Sequence, residues 1–270
     1  MNNKRTKAIV VLSGGQDSTT CLFLAKSKFD EVYTITFDYG QKHRREIGSA
    51  ELISNMANIC GHETIRIPGI LNSVSPLVDF SKPLEQYENA EQMETVIGNR
   101  IETTFVPMRN MLFLTIAMNR AVELGCDAIV MGICQEDNAN YPDCTEYFRE
   151  AFEIAANRAL GNYTKESKEI LVFAPLMYLS KAESVKLAAT IPGCMKALAY
   201  SHTSYDGKYP PTDMNHANIL RAKGFEEAGY PDPLVVRAVC EGLMVLPPTK
   251  NYDIVLEEIS KDPTFYNTLD

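Results

Sequence analysis

No run of apolar residues in this 270-residue chain approaches the ~18 needed to cross a bilayer. The stretch after the initial MNNKRTK, residues 8–12, is too short for a signal peptide as well, so a cytoplasmic protein without membrane association is expected. Basic residues are scarce: Lys+Arg number 26 against 35 Asp+Glu, a net charge of −9. Such a chain repels phosphate backbones globally, and its most basic stretch, Lys42-His43-Arg44-Arg45, is short, so no nucleic-acid partner is expected. Paired cysteine spacing is also missing. The seven cysteines (Cys21, Cys60, Cys126, Cys134, Cys144, Cys194 and Cys240) are odd in number and scattered, which excludes a disulfide framework and predicts reduced thiols. There is neither an internal repeat nor a low-complexity tract. What is present is ordinary for a globular protein, 45% hydrophobic and 23% charged. At ~150 residues per domain, the length fits one large α/β domain or a domain with an appendage.

Strand and helix signals alternate. Residues 8–12 read as a buried strand that stops at Ser13-Gly14-Gly15, and residues 18–26 carry apolar positions at helical spacing. Strand signals recur at 31–37, 64–67, 128–133 and 170–173. Helices are expected over 44–60, 110–124 (ended by Gly125), 145–160, 180–189 and 221–228. In the 180–189 segment Ser180 and Glu183 have the spacing of a capping box. The alternation predicts a doubly wound parallel sheet with helices on both faces. Residues 68–102 lack a clean period and read as a long loop of the kind that forms lids or binding segments. Beyond Pro231 the pattern changes to two short segments broken by Pro247-Pro248. The expected organisation is a domain over 1–230 with a helical C-terminal extension over 231–270.

The segment Ser13-Gly14-Gly15-Gln16-Asp17-Ser18 falls at the carboxyl end of the first strand and feeds a helix N-terminus. There, glycines let backbone N–H groups approach an anion, hydroxyls of Ser13 and Ser18 add donors, and the helix dipole favours negative charge. Its spacing is neither G-x-x-x-x-G-K-[ST] nor G-x-G-x-x-G. Asp17 within an anion loop makes sense with Mg²⁺ between carboxylate and phosphates; a tight turn capped by Ser and Asp is the plainer alternative. Phe37 and Tyr39 end the second strand, where an aromatic can stack on adenine or simply fill the core. Arg109 can bind a carboxylate or phosphate bidentately, or form a structural ion pair. Glu136, Asp137, Asp143 and Cys144 follow the fourth strand on the same sheet edge, where carboxylates can accept from the N–H donors of a ligand. Cys144 invites a thiol-nucleophile reading by residue type alone.

The SGGQDS block resembles the PP-loop of the ATP pyrophosphatases, which split ATP into AMP and pyrophosphate. The blocks TFDYGQKH (36–43), TFVPMRN (104–110), YPDC (141–144) and LRAKGF (220–225) further resemble the 7-cyano-7-deazaguanine synthase (QueC) family over residues 7 to 235. The resemblance implies adenylation of 7-carboxy-7-deazaguanine with ATP and Mg²⁺, attack by ammonia to give an amide, and conversion of the amide to a nitrile. It implies catalytic roles for Asp17, Lys181 and Arg109, and ATP contacts from Ser13, Gly14, Gly15, Gln16, Asp17, Ser18, Phe37 and Tyr39. Substrate contacts are implied for Arg109, Asn110, Glu136, Asp137, Tyr141 and Asp143. Lys181 resembles the family's lysine near the phosphates, although a solvated lysine beside a capping box reads the same way. Dimers are common among such enzymes, and Leu234-Val235-Val236-Arg237-Ala238-Val239 is a candidate interface core, or packs on its own domain.

One family feature is missing. The four-cysteine zinc knuckle maps onto Ser204, Thr212, Asn215 and Asn218, none of them a cysteine, so no zinc is expected. His202, Asp206, Asp213 and His216 are the alternative metal cluster in this stretch; a polar surface loop is the plainer reading. The change alters one wall of the site. It leaves open whether ammonia or an amine on a partner protein, as in conjugating relatives associated with anti-phage defence, accepts the acyl group. A non-catalytic nucleotide-binding module is the third reading.

Overall fold

A computed structural model describes residues 5–42, 44–135, 140–162, 164 and 167–261. Five strands, β1 (Lys7–Val11), β2 (Glu31–Asp38), β3 (Gly61–Arg66), β4 (Ala128–Met131) and β5 (Leu171–Phe173), form one parallel sheet in the order β3-β2-β1-β4-β5. Side chains alternate across it. Ala8, Val10, Val32 and Val130 face helices α1 (Gln16–Lys28), α2 (Arg45–Ala57), α6 (Lys181–Thr190) and α7 (Cys194–Leu198). Ile9, Ile35, Ile129 and Val172 face α4 (Arg109–Leu124) and α5 (Glu146–Ala159). Both faces are thus covered, as continuous apolar strands require. The chain order reverses between β1 and β4, and the crevice at such a switch point is where open α/β sheets bind ligands.

The doubly wound sheet agrees with the sequence reading, with shifted boundaries. The fourth strand stops at Met131 rather than Ile133, because its neighbour β1 ends opposite it at Val11 and offers no further partner. The second helix ends at Ala57, where Asn58 turns left-handed (φ 48°), and the third strand begins at Gly61 rather than Thr64. The stretch expected to be a loop, 68–102, contains α3 (Ala90–Ile97), capped by Asn89, whose side chain accepts from Gln92 N. Only Met93 and Ile97 of this helix are buried, against Ile219 and Leu220, so one i,i+4 pair is too short a period to register. The helix α8 (His216–Ala228) starts five residues before the expected 221, because Asn215 caps it by accepting from Asn218 N at 3.0 Å. The short α7 was not anticipated. The capping box at Ser180 and Glu183 is present.

Beyond 230, α9 (Pro233–Cys240) and α10 (Asp253–Lys261) follow. Leu234, Val236 and Ala238 are buried within the chain itself. These three side chains pack within the chain, which is the second of the two readings the sequence left open for this segment. Among the described residues no helix is long and apolar enough to cross a membrane. No disulfide joins any of the seven cysteines.

Candidate active site

The loop between β1 and α1 is shaped by backbone requirements. Gly14 is left-handed (φ +85°), and a Cβ there would lie 2.3 Å from the Glu46 carbonyl oxygen. Gly132, leaving β4, has no room for a side chain either: its Cβ would meet Ser18 N at 2.7 Å. Ser13 and Ser18 hydroxyls bond each other at 3.0 Å, and Ser18 Oγ donates to Gly15 O. His202 N donates to Gly14 O at 2.8 Å, pinning the loop from the far side of the chain. Gly15 precedes α1 without a side-chain cap, which leaves the helix N–H groups facing the crevice. Gln16 Nε2 is buried with no partner among the described residues. An uncapped helix start and an orphaned buried donor together fit an anion such as a polyphosphate.

Asp17 stands in the first turn of α1, and Lys181 at the first turn of α6 reaches both of its oxygens, at 2.9 and 3.1 Å. Residues 164 positions apart in the chain are thereby joined. Gly224 makes this possible, since a Cβ there would lie 2.4 Å from Lys181 Cγ. The loop hollow, about 190 Å³, is lined by Ser13, Gly15, Gln16, Asp17, Ser18 and Lys181.

Two further hollows adjoin it. The β2 hollow, about 260 Å³, shares Ser13, Asp17 and Ser18 with the loop hollow and is lined also by Phe37, Tyr39, Arg109, Asn110, Tyr141 and Cys144. The structure thus brings the residues expected on ATP (Phe37, Tyr39) and several expected on the substrate (Arg109, Asn110, Tyr141) into one place. Phe37 stacks on Phe113 with centroids 4.1 Å apart, so one face of its ring is already covered. Burial pushes the Tyr39 phenol up to about 12. Burial works against the Arg109 charge, but the acidic groups of Tyr39, Tyr141, Asp143 and Cys144 outweigh it, and the guanidinium is held firmly protonated. Asp143 is raised by burial and partly offset by Arg109; it accepts from Asn110 N at 3.4 Å, while Asn110 Nδ2 donates to the Asp143 carbonyl at 3.1 Å. Tyr141 gives its hydroxyl to Glu102 at 3.2 Å and is also bonded to Thr104. Burial raises the Cys144 thiol far above neutrality, which makes it inert as a nucleophile.

The α8 hollow, about 460 Å³, lies between α3 and α8 and shares Lys181, His216 and Leu220 with the loop hollow. Gln135 and Asn140 line it. Glu136 and Asp137, expected on the substrate, lie outside the described residues. Tyr205, Glu102 and Gly132 were missed in the sequence, and His216 was weighed there only as part of a metal cluster; of the missed residues only Gly132, at the end of a strand on the right sheet edge, carried a usable signal.

At three of the four positions of the missing zinc knuckle the side chains converge on one carboxylate. Ser204 Oγ donates to Asp213 at 2.6 Å, Asn215 Nδ2 also donates to that carboxylate, and Asn218 Nδ2 donates to the Asp213 carbonyl at 3.0 Å and to its carboxylate. Among the described residues no three His, Cys, Asp or Glu side chains are grouped to hold a metal ion. The alternative cluster is not assembled, because His202 Nε2 donates to Ser204 O at 2.8 Å while Asp206 and Asp213 share the Ser204 hydroxyl. Asp213→Ala strands several of these donors and is expected to cost about 2–3 kcal/mol in urea unfolding. A change below about 0.5 kcal/mol, the range of ordinary surface substitutions, would contradict this brace.

Comparison with known proteins narrows the reading. The family profile described as "Queuosine biosynthesis protein QueC" matches residues 7–229. The 7-cyano-7-deazaguanine synthase of Gloeobacter violaceus is 46% identical over 84% of this chain and 95% of its own length. That of Laribacter hongkongensis is 47% identical over 85% and 94%. Among solved structures, the NH3-dependent NAD synthetase of Campylobacter jejuni is 14% identical, covering 97% of this chain and 88% of that one, with a TM-score of 0.39. With a match of this extent and identities of this size over nearly the whole of both relatives, the chain belongs to the QueC family.

Proposed function

We propose that this protein adenylates 7-carboxy-7-deazaguanine with ATP and transfers the acyl group to ammonia, releasing AMP and pyrophosphate and leading through the amide to the nitrile. The observation that carries the proposal is the arrangement of the three hollows. Adenylating a purine-like acid brings two ring systems to one polyphosphate, and the loop hollow adjoins the β2 hollow through Asp17 and the α8 hollow through Lys181. The family membership and the shared name of its relatives support the same substrate.

In this reading the PP-loop N–H groups, Gln16 and Lys181 bind the phosphates, and the β2 hollow takes the adenosine beside Phe37 and Tyr39. Arg109, held protonated by the acidic groups of Tyr39, Tyr141, Asp143 and Cys144 around it, neutralises charge developing near the α-phosphate. The α8 hollow, bordered by Gln135 and Asn140, takes the deazaguanine with its carboxylate towards Lys181. Mg²⁺ fits the donor set, since that ion is usually held by one or two carboxylates plus phosphate oxygens; Asp17 would hold it, and it would supply further neutralisation of the polyphosphate.

Incubation with ATP, Mg²⁺, 7-carboxy-7-deazaguanine and an ammonium salt should yield AMP, pyrophosphate and the nitrile. ADP as the sole nucleotide product would sink the proposal. AMP formation with little amide or nitrile, together with an acyl-modified partner protein on intact-mass analysis, would replace ammonia by a protein amine as acceptor.

A further inference from the structure

His216 belongs to no motif that the function has absorbed, yet it stands on the wall shared by the loop hollow and the α8 hollow, beside Lys181. It is 8% exposed, and among the described residues neither ring nitrogen has a hydrogen-bond partner. Buried polar groups are normally satisfied. The other two described histidines follow that rule: His202 donates to Ser204 O, and His62 is bonded to Thr34, Ser54 and Thr64. The His216 ring, by contrast, has no protein partner among the described residues and lines a ligand-sized hollow, where it can meet whatever enters.

Resting on the adenylation reading above, we propose that His216 is a further catalytic residue, which takes the proton released when ammonia attacks the acyl adenylate at the junction of the two hollows. In that step the ammonia lone pair forms a bond to the acyl carbon. The bond from that carbon to the AMP phosphate oxygen breaks, and its electron pair leaves with AMP. The surplus N–H proton passes to the bare imidazole nitrogen and then to water.

Two properties suit the ring to this role. Burial, reinforced by the Lys181 ammonium, pushes its pKa down to about 4, so at neutral pH it is uncharged and keeps a lone pair. Polyphosphate bound at Lys181 would offset the lysine charge and raise the ring's basicity when substrate is present. The ring is also held still. His216 is the first residue of α8, directly after the Asn215 cap, and Asn215 and Asn218 are both tied to Asp213.

The test separates the half-reactions in wild type, His216→Ala and His216→Gln. ATP–pyrophosphate exchange with 7-carboxy-7-deazaguanine reads adenylation, and amide formation at fixed ammonium reads acyl transfer. Amide formation is expected to fall about 100-fold in both variants, the size of a lost general base, and at least about tenfold more than exchange. Added imidazole should restore part of the loss in His216→Ala, where the ring's space is vacant. The ratio of the two half-reactions does not depend on the folded fraction, so it decides even if a variant is unstable. Equal falls in both half-reactions, or amide formation within about threefold of wild type, would overturn the role of His216. Wild-type protein without exchange would overturn the adenylation reading and this role with it.

Discussion

Replacement of Lys181 by methionine is expected to lower pyrophosphate release about 100- to 1,000-fold in kcat/KM, the loss seen when one preorganised charge-stabilising donor is removed. The geometry makes the effect large. Lys181 contacts both oxygens of Asp17 and is only 14% exposed at its side chain, so its charge acts in a partly dry site. Methionine keeps much of the stem that packs over Gly224 but deletes the charge, leaving the Asp17 carboxylate to repel the polyphosphate. Gly224→Ala approaches the same site from the opposite side: its Cβ would lie 2.4 Å from Lys181 Cγ and 2.9 Å from Lys181 Cβ, so Lys181 must move. Steady-state pyrophosphate release checks both; a fall of less than about tenfold in Lys181→Met would mean that the lysine serves only to pair Asp17.

Asp232→Ala is expected to be the most damaging single change to stability, at about 3–5 kcal/mol. Arg221 and Asp232 are 3% and 4% exposed at their side chains and form a bidentate pair at 2.6 and 2.8 Å. Arg221 also donates to Ser201, Thr203 and the Leu198 carbonyl, and Asp232 caps α9 by accepting from Leu234 N. Deleting the carboxylate leaves a guanidinium buried without its counter-charge and uncaps the helix that begins the C-terminal extension. Thermal unfolding should shift down by about 10 °C for a chain of this size. The double variant Arg221→Met/Asp232→Leu should recover much of the loss, since the cost comes from the stranded charge rather than from the absence of a pair. If Asp232→Ala unfolds within about 1 kcal/mol of wild type, the pair does not carry this part of the fold.

What the sequence by itself determined was whatever a local pattern can encode. Continuous β-rich runs punctuated by Gly-Gly, Gly125 and the Ser180 capping box specify strands, helices and their ends, because propensity and capping act within a few residues. The glycine turn after the first strand was legible for the same reason: a glycine turn between a strand and a helix is a local arrangement that favours an anion without help from the rest of the chain. The tertiary structure decided what distance in the chain conceals. It placed Lys181 on Asp17, let Gly132 abut the loop, and covered one face of Phe37 with Phe113. It gathered Ser204, Asn215 and Asn218 around Asp213, where the sequence offered only absent cysteines. It also buried His216 without a partner on the wall of two hollows. Each of these depends on how separate helices pack on a common sheet, and a hydrogen bond or a desolvation cost between such elements leaves no periodic trace along the chain.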